Sequence, residues 1–110
     1  MVGAIVQLRK GLAELSVLAV IEREEAYGYQ IIQRLALVEG LGLTESTVYP
    51  LLARLAAARL VSVRSVESPA GPPRRYYRLT ESGRKRYDLL AGQWKTIRDS
   101  MNLMLEGEKT

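Results

Sequence analysis

Apolar residues recur at three- and four-residue spacing from about Gln7 to Glu24, where Leu8, Leu12, Leu15 and Leu18 share a face and Val17 to Ile21 is almost wholly apolar. That period predicts an amphipathic helix, largely buried towards its end. An acidic break, Arg23-Glu24-Glu25-Ala26, leads to a second segment that opens at Tyr27-Gly28-Tyr29 and sets Ile31, Ile32 and Leu35 against Gln30, Gln33 and Arg34. A short helix is expected there. The stretch from Glu39 to Leu43 carries two glycines suited to a turn, and Thr44 is then placed to cap a third helix with Glu45 in its first turn. This helix should reach about Arg59, with Val48, Leu51, Leu52 and Leu55 inward and Ser46, Thr47, Tyr49, Pro50, Ala53 and Arg54 mostly outward. Pro50 lies beyond the first turn, where it removes a backbone hydrogen bond and crowds the turn before it, so a distortion near the helix start is expected.

From Leu60 to Glu67 the pattern changes to partial alternation, with Val61, Val63 and Ser65 opposite Ser62, Arg64 and Val66. Ser68-Pro69-Ala70-Gly71-Pro72-Pro73 breaks the chain, and Arg74 to Leu79 returns as a second β-type run containing Tyr76 and Tyr77. Together these predict a β-hairpin with a stiff tip. Thr80 caps a last helix expected from Glu81 to about Leu105, about 37 Å long at the usual rise. The expected fold is mainly α with a small β-hairpin: a winged helix-turn-helix over residues 1–79, a dimerisation helix over 80–105 and a tail over 106–110.

Composition narrows the function more by what is missing. At 110 residues the chain fits one folding unit, and with no Phe its core must be aliphatic. There is no Cys and no His, so disulfides, Cys/His zinc sites and His-based acid–base pairs are unavailable. Neither a paired-carboxylate site nor a phosphate-cradling glycine loop is apparent, so no enzyme, cofactor or metal is expected. No stretch approaches the roughly eighteen apolar residues of a membrane span, and no signal-peptide pattern opens the chain; a cytoplasmic protein is expected, with no membrane partner. Sixteen Lys and Arg against twelve Asp and Glu give +4, a mild surplus favouring polyanionic partners.

Three helices, a hairpin and a longer helix is the element order of a winged helix-turn-helix, in which the third helix enters the major groove and the hairpin reaches the flanking backbone. Ser46, Thr47 and Tyr49 are hydrogen-bonding groups near the start of that helix, and Arg54 suits a phosphate or a guanine edge. The same residues would also make an ordinary solvated face. Residues 64–78 hold Arg64, Arg74, Arg75 and Arg78 against Glu67 alone, as suits phosphate contact or, more plainly, a charged edge strand that resists aggregation.

The run Leu43-Thr44-Glu45-Ser46-Thr47-Val48-Tyr49-Pro50-Leu51-Leu52-Ala53-Arg54-Leu55, followed by Gly71-Pro72-Pro73-Arg74-Arg75-Tyr76-Tyr77-Arg78-Leu79-Thr80-Glu81-Ser82-Gly83, resembles the signature of the PadR family of regulators. Tyr27-Gly28-Tyr29-Gln30-Ile31-Ile32 resembles that family's second helix. The resemblance implies a homodimeric repressor of transcription on a palindromic operator in double-stranded DNA, released in many members by a small molecule. By position it implies a reading helix with Ser46, Thr47, Tyr49 and Arg54, wing contacts from Arg74 and Arg75, and Tyr29 and Gln30 near the DNA backbone. It also implies that Pro50 is tolerated. Ala26 departs from the histidine found in many relatives, which leaves any contact of that histidine without a counterpart. The single helix after the wing resembles the short-form members. A winged helix used only for protein assembly is the alternative, and it has no need of the wing arginines.

In the last helix Tyr87, Leu90, Trp94, Ile97, Met101 and Met104 alternate at three- and four-residue steps, a heptad seam that a small three-helix core cannot cover in full. A second copy is the expected cover, and a dimer would set two reading helices about 34 to 36 Å apart. Trp94 lies mid-seam, where it would either fill the interface or stack on a planar hydrophobic effector.

Overall fold

The computed structural model describes residues 12–38 and 40–107. The start expected for the first helix at Gln7, with Leu8, therefore lies outside the described residues, as do Glu39 and the last three residues of the expected tail. The elements in chain order are α1 (Ala13–Arg23), β1 (Ala26–Tyr27), α2 (Gly28–Ala36), α3 (Glu45–Ala57), β2 (Val61–Val66), β3 (Arg74–Leu79) and α4 (Glu81–Glu106). A mainly helical chain with a small antiparallel sheet and a long last helix results, as the periodicity predicts.

Helical spacing decides which side of each helix is buried. In α3, Val48, Leu51, Leu52 and Leu55 all enter the core, where Leu18, Ile31, Leu52 and Leu55 are the largest fully buried side chains. In α2, Ile31 and Leu35 are buried and Ile32 packs partly against them. The core side of α1 differs from expectation. Ala13, Val17, Leu18 and Ile21 are buried, whereas Leu12 and Leu15 are only half-buried. Leu15 instead lines a groove of about 590 Å³ with Val20, Leu35, Leu37, Val38 and Leu41. Among the described residues, every core side chain is aliphatic except that of Tyr77, and no polar or charged residue is buried.

Helix α3 is unbroken through Pro50. Thr44 holds the N-cap position with extended backbone, but its side chain makes no capping bond. Its Oγ1 pairs instead with Ser46 Oγ at 2.9 Å, while its carbonyl accepts from the Thr47 and Val48 N–H groups. At the other end Arg59 takes a left-handed conformation, φ 60°, which stops the helix and turns the chain into β2.

The sheet has the order β1-β3-β2, with both pairings antiparallel. Val61 lies opposite Leu79 and Val66 opposite Arg74, so the hairpin tip spans residues 67–73. Strand β1 has only two residues, Ala26 opposite Tyr77 and Tyr27 opposite Tyr76, and carries no sequence period of its own. It exists because β3 offers a free edge beside the turn into α2.

Thr80 joins the hairpin to α4. Its Oγ1 accepts from the Gly83 N–H at 3.0 Å and donates to the Arg59 carbonyl at 2.7 Å, while its own N–H donates to the Leu60 carbonyl at 3.1 Å. Tyr87 and Leu90 then pack partly against the core. From Gly92 to Gly107 every residue is exposed. The second half of α4 thus extends as a bare helix about 22 Å long.

Candidate nucleic-acid interface

At 3.6 residues per turn, Ser46, Pro50 and Ala53 run along the middle of the exposed side of α3, with Tyr49 on one flank and Thr47 and Arg54 on the other. All six are exposed. The middle of this ridge is made of small or ring-closed side chains, which let the helix backbone come close to a surface. The taller groups stand at its sides.

Tyr49 leans towards α2. A Cβ on Gly28 would lie 2.6 Å from Tyr49 Cε1, so the missing side chain at Gly28 is what lets the ring settle there. Partial desolvation, with Glu45 nearby, pushes the Tyr49 phenol above its ordinary value, so it stays a neutral hydrogen-bonding group. Tyr29 is half-exposed at the start of α2. Gln30 is committed locally: its Oε1 accepts from the Tyr27 N–H at 3.2 Å and closes the first turn of α2.

The wing arginines have unequal freedom. Arg64 is held by Glu25, with Nε and Nη2 donating to its two carboxylate oxygens at 2.9 and 2.7 Å, and it also lies 5.1 Å from the centre of the Tyr76 ring. This bidentate bond holds the Glu25 carboxyl below its usual range and raises the Arg64 guanidinium. Arg74 sits 4.7 Å over the Tyr27 ring, and Tyr27 meets Tyr76 edge to face at 5.4 Å. Strand alternation turns Arg75 to the same side as Tyr77, where it borders a cleft of about 400 Å³ between wing and α3 with Tyr49, Ala53, Ala56, Pro73 and Arg74. Arg74, Arg75 and Arg78 are exposed.

The expected reading helix and wing therefore stand side by side, with Tyr49 and Arg75 on the walls of one cleft. Arg54 lies on the far flank, 3.8 Å from Glu14. The two carboxylates that engage basic groups here, Glu25 and Glu14, leave no local mark in the sequence, because Arg64 and Arg54 are 39 and 40 positions away. Of the seam residues, Tyr87 and Leu90 contact the chain's own core, whereas Trp94, Ile97, Met101 and Met104 are 38%, 55%, 47% and 77% exposed. Trp94 stands where α4 leaves the body of the fold. No helix among the described residues is long and apolar enough to cross a membrane.

Comparison with known proteins finds the same architecture elsewhere. The sequence model of the transcriptional regulator PadR-like family matches residues 17–89. A PadR family transcriptional regulator from Eggerthella lenta is 31% identical and superposes with a TM-score of 0.82, the match covering 96% of this chain and 92% of that one. A PadR-like transcriptional regulator from Bacillus cereus is also 31% identical, with TM-score 0.82 and coverage of 93% and 99%. A PadR-like transcription factor from Bacteroides fragilis is 38% identical, with TM-score 0.75 and coverage of 93% and 98%.

Proposed function

The chain belongs to the PadR-like family of transcriptional regulators, and on that premise we propose that it is a repressor which occupies a palindromic operator as a homodimer. The family's members are regulators of transcription rather than enzymes. The observation that carries the proposal is the pairing of an exposed, hydrogen-bonding helix side with exposed arginines on an adjoining hairpin. Residues 1–79 form the DNA-binding head, residues 80–105 the dimerisation helix and residues 106–110 its tail. In this reading Ser46, Thr47 and Tyr49 face base edges, Arg54 meets a phosphate or a guanine, and Tyr29 and Gln30 lie near the sugar-phosphate backbone. Arg74 and Arg75 bind phosphates. Repression follows from occlusion of the promoter.

Replacing both Arg74 and Arg75 with Ala leaves up to two phosphates per protomer without a cation. The logarithm of the binding constant should then fall less steeply with the logarithm of salt concentration, by about 0.9 for each phosphate no longer neutralised, on every duplex tested. Thr47→Ala or Tyr49→Phe should instead change the preference among sequences and leave the salt slope nearly as it was. An unaltered slope in the double arginine variant refutes the wing assignment. A chain without affinity for any duplex would be the assembly module instead.

Trp94 is the group through which a planar hydrophobic effector would act. It is mid-seam and 38% exposed in the single chain, so two copies related by a dimer axis would face their indoles towards each other. Titration with a planar cationic dye should quench Trp94 fluorescence saturably at about tens of micromolar, an affinity of roughly 6 to 7 kcal/mol. A linear, unsaturable decrease would remove the effector from this reading.

A further inference from the structure

One carboxylate joins three helices. Glu14, in the first turn of α1, accepts a hydrogen bond at Oε2 from Arg86 Nε of α4 at 2.7 Å. Its Oε1 lies 3.8 Å from Arg54 Nη2 of α3. The Glu14 side chain is 22% exposed, that of Arg86 41% and that of Arg54 67%. We propose that Glu14 and Arg86 are positioning residues that decide how freely Arg54 meets DNA, so that a shift of α4 against α1 is felt at the recognition helix. This inference rests on the DNA-binding reading above.

The two ion pairs on Glu14 are unlike. At 2.7 Å the Arg86 contact is a charge-assisted hydrogen bond, which also raises the Arg86 guanidinium above its ordinary value. At 3.8 Å the Arg54 contact is beyond hydrogen-bond length, so charge attracts Arg54 without locking its fork. Arg86, the closer cation, offsets charge that Arg54 would otherwise feel. If Arg86 withdraws, the carboxylate is left half-enclosed with Arg54 as its remaining ion-pair partner among the described residues, and the guanidinium closes onto it. A guanidinium held in that way must break the bond before it reaches a phosphate. Loss of Arg86, which lies outside the proposed DNA surface, should therefore weaken DNA binding, and loss of the Glu14 charge should reverse that effect.

A second ion pair between the same two helices supplies the control. Arg84 Nη1 of α4 lies 3.4 Å from Glu22 Oε1 of α1, eight residues and about 12 Å along that helix from Glu14. Arg84→Met therefore removes an α1 to α4 pair of similar exposure without touching Glu14.

Two measurements on the 110-residue chain test the proposal. The first is fluorescence anisotropy on a 40-base-pair duplex of mixed sequence, about four helical turns. Arg86→Met should lower affinity about threefold to fivefold, the scale of one ion pair, and Arg84→Met should not. In an Arg54→Ala background the Arg86 effect should vanish, and adding Glu14→Gln to Arg86→Met should restore binding. The second measurement needs no DNA: the guanidinium NMR signal of Arg54, whose rotation and hydrogen exchange should slow in Arg86→Met and recover with Glu14→Gln. An unchanged Arg54 signal, an Arg86 effect that survives without Arg54, or an equal loss from Arg84→Met would each overturn the coupling. If the unmodified chain binds no duplex, the DNA reading fails, and the Arg54 signal still decides whether Glu14 and Arg86 control that side chain.

Discussion

Gly83→Ala should lower the melting temperature by more than about 10 °C, whereas Gly92→Ala, nine residues along the same helix, should leave it unchanged or raise it. A Cβ on Gly83 would lie 1.8 Å from the Leu60 carbonyl oxygen and 2.9 Å from its carbon. Both are backbone atoms, so no side-chain rotation relieves the clash. The Leu60 carbonyl is further fixed by the Thr80 N–H at 3.1 Å, and Thr80 Oγ1 bonds to both the Gly83 N–H and the Arg59 carbonyl. One methyl group must therefore push α4 away from the start of β2 and break this junction. Overpacking against a rigid wall costs about 3 kcal/mol. That is a large share of the roughly 5 to 15 kcal/mol that holds a domain folded. At about 4 °C or more per kcal/mol it gives the stated shift. Nothing lies within 4 Å of a Cβ on Gly92, so there the change only replaces a poor helix former with a good one, a gain of about 0.5 to 1 kcal/mol. Thermal unfolding followed by far-ultraviolet circular dichroism separates the two variants. A fall below about 3 °C for Gly83→Ala would mean instead that the junction gives way without cost.

Gly83 also illustrates which parts of the molecule could be read from the chain. In the sequence it is a glycine in the first turn of a predicted helix, where propensity disfavours it, and the reason for it lies across the fold in a carbonyl 23 positions earlier. Periodicity, by contrast, is local. The inward side of α3 followed directly from the spacing of Val48, Leu51, Leu52 and Leu55, and the hairpin from the change of period at Leu60 and the proline-rich break at Ser68 to Pro73. In α1, where every residue from Val17 to Ile21 is apolar, spacing cannot choose between faces. Packing against α2 and α4 chose a side centred on Val17 and Ile21 and left Leu12 and Leu15 half-buried. Strand β1 was invisible because two residues make no pattern.

The placement of the candidate site residues was legible to a similar extent. Type and spacing picked out the exposed residues of α3 and the basic hairpin, but a count of arginines treats them as equal. The structure separates Arg64, engaged by Glu25 and Tyr76, from Arg75, which borders the cleft beside α3. It likewise sets Arg54 3.8 Å from the Glu14 carboxylate, near enough to be attracted but not bound. Ion pairs between distant segments leave no mark on a one-dimensional pattern, since either partner alone is an ordinary surface charge.

The seam of α4 carries the largest functional effect expected from a surface change. Ile97→Glu combined with Met101→Glu should convert the protein to a species of the single-chain mass, 12.3 kDa, and lower its affinity for a two-half-site operator by more than about a hundredfold. In the single chain Ile97 and Met101 are 55% and 47% exposed and lie beyond Gly92, where α4 no longer touches the body of the fold. Changing them removes no internal contact, so the melting of the head should be little affected. A bare helix of about fifteen residues is at best marginal in water, and its stripe of Trp94, Ile97, Met101 and Met104 is the kind of surface that a second helix covers. Two carboxylates in that stripe become four when copies meet, placed close together in a desolvated seam, a like-charge arrangement that costs several kcal/mol. On the proposed dimeric reading, a lone head would keep its own phosphate contacts, but its partner would no longer arrive at high effective concentration on the neighbouring half-site. Sedimentation velocity at micromolar concentration, alongside binding to one-half-site and two-half-site duplexes, reads both effects. Affinity for the single half-site should change little while affinity for the pair collapses. A double-glutamate variant that still sediments at twice the chain mass would place the pairing surface elsewhere, and an unmodified chain that sediments at 12.3 kDa would remove the dimer altogether.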